Sequence, residues 1–216
     1  MPEHPASINL GGSSLRDHRH VCAFFTSTEE EYRVMVPFIR EGLSRGERAV
    51  HLVPHGTDDH VARLRSAGID VDDVRDQRQL DIVPAEDVYT PGGVFDCGRM
   101  LGRIEEVLDE APRLGYSLTR VWAHAEFVCA AGPTAHEFLE YETRLNYLLP
   151  RYPDAVVCVY DLEKVGAGMA LDVLRTHPVV IVGHLLQENP YFIPPDVFLG
   201  VLAARRTSAR RARHGT

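Results

Sequence analysis

From His20 onward the chain switches repeatedly between short apolar runs and stretches in which apolar residues recur every three to four positions. His20–Phe25 is an apolar run that predicts a strand. Ser27 to Arg45 follows with Tyr32, Met35, Val36, Ile39 and Leu43 on one helical face, and Gly46 is a natural stop. Ala49–Val53 predicts a second strand, Asp58–Ala67 a helix before Gly68, and Leu80–Pro84 a third strand. A loop with Tyr89, Pro91, Gly92 and Gly93 leads into a long helix from about Asp96 to Leu114, ended by Gly115. The alternation then repeats. Leu118–Phe127 predicts a fourth strand, Thr134–Leu149 a helix with Phe138, Tyr141, Leu145 and Leu148 inward, and Ala155–Tyr160 a fifth strand. Gly168–Arg175 is a short helix, Val179–Val182 a sixth strand, Asn189 to Pro195 a rigid loop, and Asp196 opens a terminal helix.

Strands alternating with helices imply a mainly parallel sheet joined by right-handed crossovers, that is, one three-layer α/β domain with about six strands flanked by helices. The unbroken run Ala155, Val156, Val157, Cys158, Val159 suits a strand buried on both faces. The 216 residues, 44% hydrophobic and 25% charged, are enough for one such domain with a real core. Residues 1–18, with Gly11, Gly12, Ser13 and Ser14, read as a flexible lead-in, 19–204 as the folded domain, and 205–216 as a basic, disordered tail.

Charge changes the picture of partners. Of the 23 basic residues, five arginines lie within 205–216, which leaves 18 basic against 31 acidic side chains in residues 1–204 and a net charge of −13 there. Such a body repels nucleic acid. Apolar runs fall well short of a membrane span, and the polar N-terminus lacks the apolar stretch of a secretory signal. Cys22, Cys97, Cys129 and Cys158 are widely spaced with no CxxC pair, which reads as reduced thiols in a cytoplasmic protein.

Open parallel sheets bind ligands beyond the carboxyl ends of their strands. After the first strand, a phosphate-binding loop would need glycines, a lysine and a hydroxyl for magnesium. This chain offers Phe25-Thr26-Ser27-Thr28-Glu29-Glu30-Glu31. Ser27 with Glu30 fits a capping box, and the carboxylates occupy the positive helix end that a phosphate would want. Tyr160-Asp161 ends an apolar strand as a Walker B motif does, but without a phosphate loop it predicts no catalysis.

The polar residues on strands are the remaining candidates. His20 and Cys22 alternate onto one face of the first strand, and Arg120, Trp122, His124 and Glu126 onto one face of the fourth. Two readings stand: satisfied core groups, or a polar cavity at the carboxyl ends of the first, fourth and fifth strands. In the second, His20, Cys22, Arg120, His124, Glu126 and Asp161 meet a ligand and Phe25, Trp122 and Tyr160 form its wall. A ligand role for His124 implies that its removal leaves the fold nearly as stable. No clustered second ligand pair accompanies His20 and Cys22, so neither a metal nor another cofactor is expected.

The short motifs taken together resemble the MEDS family of sensory domains found in methanogen and methylotroph regulators. They are His20-Val21-Cys22 with Phe24-Phe25, Pro37-Phe38-Ile39, Glu41-Gly42-Leu43, Gly46-Glu47-Arg48, Tyr89 with Gly93 and Phe95, and Arg120. Tyr141-Glu142, Leu145-Asn146, Cys158 with Tyr160-Asp161, Leu174-Arg175-Thr176-His177-Pro178 and Asn189-Pro190-Tyr191 complete them, over about residues 19–195. His124 stands where the family tends to carry an acid, and Phe25 where tyrosine is frequent. The resemblance implies a RecA/KaiC-like fold without its phosphate loop. It implies a non-enzymatic sensory domain that binds a small organic molecule and signals to a separate regulatory protein. The alternatives are a protein-interaction module without ligand, and a hydrolase or NTPase using Cys22, His20 and His124 or Asp161.

Because Glu29, Glu30 and Glu31 stand where phosphates would bind, millimolar ATP with magnesium is expected to leave the melting temperature unchanged. A ligand that prefers the folded state adds ~2.7 kcal/mol at a hundredfold excess over its Kd. A magnesium-dependent rise in Tm would therefore overturn the reading.

Overall fold

In the computed structural model, residues 7–54, 56–129 and 133–214 are described. The elements are β1 (Ile8–Leu10), β2 (Ser13–Leu15), β3 (His20–Phe25), α1 (Thr28–Ser44), β4 (Arg48–Val53), α2 (Thr57–Ser66), α3 (Val71–Asp76), β5 (Leu80–Pro84) and α4 (Ala85–Tyr89). They continue with α5 (Cys97–Leu114), β6 (Thr119–His124), α6 (Pro133–Leu148), β7 (Ala155–Asp161), α7 (Ala167–Thr176), β8 (Val179–Val182), β9 (Leu185–Glu188) and α8 (Pro195–His214).

Seven strands form one sheet in the order β5-β4-β6-β7-β3-β8-β9, parallel except for the β8–β9 pair. The sequence reading placed six strands. The seventh, β9, turns back through Gly183 at φ 65 to run beside β8. It lies in the stretch Leu185–Glu188, where only Leu185 and Leu186 are apolar, so no period announces it.

Strand alternation sends side chains to two separate cores. Val21, Ala23, Phe25, Trp122, Val157 and Val159 pack beneath α1, α2 and α3. Cys22, Phe24, Val121, Ala123, Cys158 and Tyr160 pack beneath α4 to α8. Helices therefore cover both faces. Gly46, Gly68 and Gly115 adopt φ of 71, 82 and 89, the left-handed backbone expected after a helix.

Two expectations about the ends are corrected. Residues 7–18 are an antiparallel hairpin, with Gly11 and Gly12 at φ 55 and 73 between β1 and β2. Two positive φ values suit a two-residue hairpin turn, so the glycine pair is turn chemistry and not a flexible tether. Ile8, Leu10 and Leu15 are buried against the α1 core, and Asn9 Nδ2 donates to Glu41 at 2.7 Å. At the other end α8 continues to His214, where a disordered tail was expected. Arg205 and Arg206 donate to Asp172 and Glu140, which anchors that helix to α7 and α6. Residues 1–6 of the lead-in and 215–216 of the tail lie outside the described residues. No helix among the described residues is long and apolar enough to cross a membrane.

One buried ion network fixes α1 to the amino end of the sheet. Arg120 is fully buried and donates from Nε to Glu47 and from Nη1 to the Phe38 carbonyl and to Glu41. Gly42 is the helix residue beneath it, and a Cβ there would stand 2.6 Å from Arg120 Cδ. Arg120→Ala leaves Glu47 buried without its cation and is expected to cost about 3–5 kcal/mol. Gly42→Ala overpacks the same spot at about 1–3 kcal/mol. Urea denaturation measures both, and wild-type midpoints would refute the clamp.

Candidate functional site

The carboxyl ends of β3, β4, β6 and β7 open into a cleft of about 240 Å³. Phe25, Val53 and Val159 form its apolar floor, and Ser27, Thr28, Glu31 and Tyr32 line the side given by α1. Asp59 and His60 come from α2, and His124, Glu126, Asp161 and Lys164 complete the polar rim. This is the edge where the sequence reading placed a pocket.

The α1 entrance is built as the capping pattern requires, with one variation. Ser27 caps the helix by accepting from the Glu30 N–H at 3.2 Å. Glu30 reaches back one residue further than a capping box, accepting from the Thr26 N–H and hydroxyl at 2.8 Å each. Glu31 turns inward instead. It is buried, and its Oε1 accepts from Trp122 Nε1 and from His124 Nε2, both at 2.8 Å.

His124 is the centre of this edge. Its Nδ1 stands 3.3 Å from Glu126 Oε1, so the ring is held between two carboxylates. Burial alone would depress its pKa, but the hydrogen bonds and charges of Glu126 and Glu31 outweigh that and lift it to about 9. The imidazole is therefore a cation at neutral pH. Behind it, His60 and His51 are driven the other way, His60 to about 3, by burial and then by neighbouring imidazoles including His124. The Tyr32 hydroxyl meets His60 Nδ1, and His60 Nε2 meets His51 Nδ1 at 2.8 Å, a neutral chain beside the charged ring. Burial, more than the adjacent Glu31 charge, raises the Tyr32 phenol.

Glu126 Oε2 is buried and has no hydrogen-bond partner among the described residues. Lys164 Nζ lies 3.0 Å from Asp161 and 3.8 Å from Glu126 Oε1. Lys164 offsets the burial that would raise Asp161, and the Asp161 carboxyl sits below its ordinary range.

Of the residues singled out from sequence, Phe25, His124, Glu126 and Asp161 line the cleft together. The others do not. The expected convergence assumed that the strands carrying His20 and His124 are neighbours, but β7 lies between them. His20 and Cys22 also point to the opposite face of the sheet from Trp122 and His124. Arg120 belongs to the ion network at the far end of its strand. Trp122 is sealed beneath Glu31, Tyr32 and His60. Tyr160 faces Glu142 at 3.4 Å, away from the cleft. Cys22 is fully buried with its thiol 3.7 Å from the Val179 carbonyl, and burial pushes that thiol up, so it supplies no thiolate nucleophile. The strand expected to reach Phe127 ends at His124, and Glu126 reaches the cleft from a tight 3-10 turn. The Phe127 side chain lies outside the described residues.

His20, Glu142, Cys158 and His177 form a second, wholly buried group on the other face, with ligand atoms within 4.8 Å of one another. No local sequence motif announced this group: β3, α6, β7 and the turn before β8 each bring one residue. Sequence reasoning missed Glu31, His60 and Lys164 in the cleft and Glu142 here. Glu142 did carry a signal, being four residues after Phe138 and three before Leu145 on the inward stripe of α6.

A family model described as MEDS, the MEthanogen/methylotroph, DcmR Sensory domain, matches residues 19–178. The transcriptional repressor DcmR of Methylorubrum extorquens is 26% identical over 174 residues, covering 80% of this chain and 63% of that protein. The chain thus spans less than two thirds of that relative. An uncharacterised protein from Pyrococcus horikoshii, crystallised in complex with an unknown peptide, superposes with TM-score 0.57 at 13% identity, covering 76% of each chain. A KaiC-like protein from Pyrococcus horikoshii OT3 gives a TM-score of 0.54 at 14% identity, covering 76% of this chain and 71% of that one. These two likenesses are of fold.

The carboxylate clamp predicts that His124 contributes to stability, against the expectation that its loss is cheap. A pKa raised to about 9 from an ordinary 6.5 stabilises the fold fully below pH 6.5 and loses that contribution as pH rises through 9. The contribution is on the order of 3 kcal/mol. Urea denaturation at acidic and alkaline ends of this window is expected to show wild type losing stability that His124→Gln has already lost. Parallel curves for the two proteins would contradict the clamp.

Proposed function

Because the chain belongs to the MEDS family of sensory domains, we propose that it is a small-molecule sensor whose ligand occupies the cleft at the carboxyl ends of β3, β6 and β7. The observation that carries this reading is the lining of the cleft, which sets Phe25, Val53 and Val159 beside His124, Asp161 and Glu126, whose buried Oε2 has no hydrogen-bond partner among the described residues. Buried acceptors left unpaired are costly, so such a group is a natural partner for a ligand N–H or O–H.

The chemistry of the rim narrows the ligand. Glu31, Glu126, Asp59 and Asp161 outnumber the cations His124 and Lys164, which disfavours phosphates and other anions. About 240 Å³ equals roughly eight water molecules' share of the liquid, which suits a compact organic molecule. The ligand is a small, neutral or cationic organic compound with at least one hydrogen-bond donor and an apolar part resting on Phe25, Val53 and Val159. Within the family relation to a repressor, ligand binding biases one of two conformations and so a contact with a regulatory partner in the cytoplasm. A coupling of about 1–3 kcal/mol is sufficient. The role is recognition without turnover.

Thermal shift against small alcohols, amines and amides, with matched compounds lacking the donor, tests the reading alongside native mass spectrometry of freshly purified protein. Donor-bearing members are expected to raise Tm, and Glu126→Gln to weaken their binding roughly tenfold. Binding that ignores Glu126→Gln, or no retained mass and no response across the panel, would refute it.

A further inference from the structure

We propose that His20, Glu142, Cys158 and His177 form a closed, four-ligand zinc site in the core on the α4–α8 side of the sheet. The site is separate from the cleft and does not rest on the function proposed above. All four side chains are buried, and they come from four elements that the fold brings to one point.

The hydrogen bonds around the two histidines decide which ring atoms face inward. Asn146 Nδ2 donates to the carbonyls of Glu142, Thr143 and Thr176, which fixes Asn146 Oδ1 as an acceptor. His20 Nδ1, 3.2 Å from that oxygen, must then carry a proton. His177 Nδ1 stands 3.0 Å from the Val173 carbonyl, which only accepts, and 2.8 Å from the Thr176 hydroxyl, which itself donates to that carbonyl, so both contacts are met when Nδ1 carries the proton. In the neutral tautomers both Nε2 atoms therefore present lone pairs to the interior. Each lies 3.2 Å from the same oxygen, Glu142 Oε2. Two lone pairs and a carboxylate oxygen thus meet at a point that calls for positive charge. Outer carbonyl or amide acceptors that lock Nδ1–H and aim Nε2 are the usual support of metal-ligating histidines.

The spacings and the ligand types fit zinc. Tetrahedral zinc, with Zn–N and Zn–O near 2.0–2.1 Å and Zn–S near 2.3 Å, places nitrogen and oxygen ligands about 3.3 Å apart and sulfur about 3.6 Å from either. The corresponding distances are 3.2 Å from each Nε2 to Oε2, 3.8 Å from Cys158 Sγ to Oε2 and 3.9 Å from Sγ to His20 Nε2. Magnesium and calcium require more ligands, all oxygen. Two neutral imidazoles, a carboxylate, a thiolate and Zn²⁺ sum to zero charge, the balance a buried site needs. The Cys158 thiol proton is released on binding, so the S–H bond is exchanged for S–Zn and a proton leaves to solvent. A cleft lined in part by Arg19, His20 and Asn146 lies beside the site.

The test uses the full chain, stripped with a chelator, incubated with zinc or cobalt(II), and freed of excess metal by gel filtration. Elemental analysis is expected to find about one zinc per chain. Cobalt(II) is expected to give tetrahedral visible bands with a thiolate-to-cobalt charge-transfer band. Cys158→Ser should remove the thiolate band and Cys97→Ser, a thiol outside the cluster, should leave it intact. Less than about a tenth of an equivalent in folded protein would overturn the site. So would an octahedral cobalt spectrum, or zinc retention unchanged in both Cys158→Ser and His177→Gln. If the variants fail to fold, the wild-type cobalt spectrum alone decides.

Discussion

A parallel sheet covered by helices on both faces has no solvent to which its central strands can hand their polar side chains. Every ionisable group on those strands must find its partner inside. In this fold that demand is met at several points. Arg120 is answered by Glu47 and Glu41 at the amino end of β6, and His124 by Glu31 and Glu126 at its carboxyl end. His20 and His177 converge on Glu142 across the other face. The helices supply most of these carboxylates, so the same contacts that neutralise the strands also set how α1 and α6 lie on the sheet.

The environment separates histidines that are chemically identical. His124, between two carboxylates, is kept charged. His51 and His60, about 5 Å from the indole of Trp122 by ring centroids and next to another imidazole, are kept neutral. A fixed charge on the rim of the cleft thus stands in front of a neutral wall. The KaiC-like protein from Pyrococcus horikoshii OT3 is similar in fold; in this chain the position after β3 is occupied by a capped, acidic helix start.

The layered architecture was legible because it is written in period: buried strands as unbroken apolar runs, helices as stripes, and glycines at helix ends. The carboxyl edge was legible as a place, and Phe25, His124, Glu126 and Asp161 do meet there. Strand order was not legible, since nothing local in His20–Phe25 says that β7 will sit beside it, and the pairing assumed for His20 and His124 fell with it. The partners Glu31 and Lys164 lie on a helix start and a loop, where a carboxylate or ammonium looks like ordinary solvated surface until the packing is known. Gly11-Gly12 was ambiguous for another reason: the same dipeptide serves a tether or a tight hairpin, and only Ile8, Leu10 and Leu15 reaching the core select the second.

The central position of β3 also constrains how the chain can assemble. The strand is made early, yet both its neighbours, β7 and β8, lie in the last third of the sequence, and Cys22 contacts Val179 across 157 residues. A chain truncated before β7 holds β3 with neither ladder satisfied. Such non-local parallel pairing pays its loop-closure entropy before it gains contacts, which slows folding and leaves an apolar strand without partners meanwhile. During synthesis, the first sheet strand to emerge is therefore among the last to be completed.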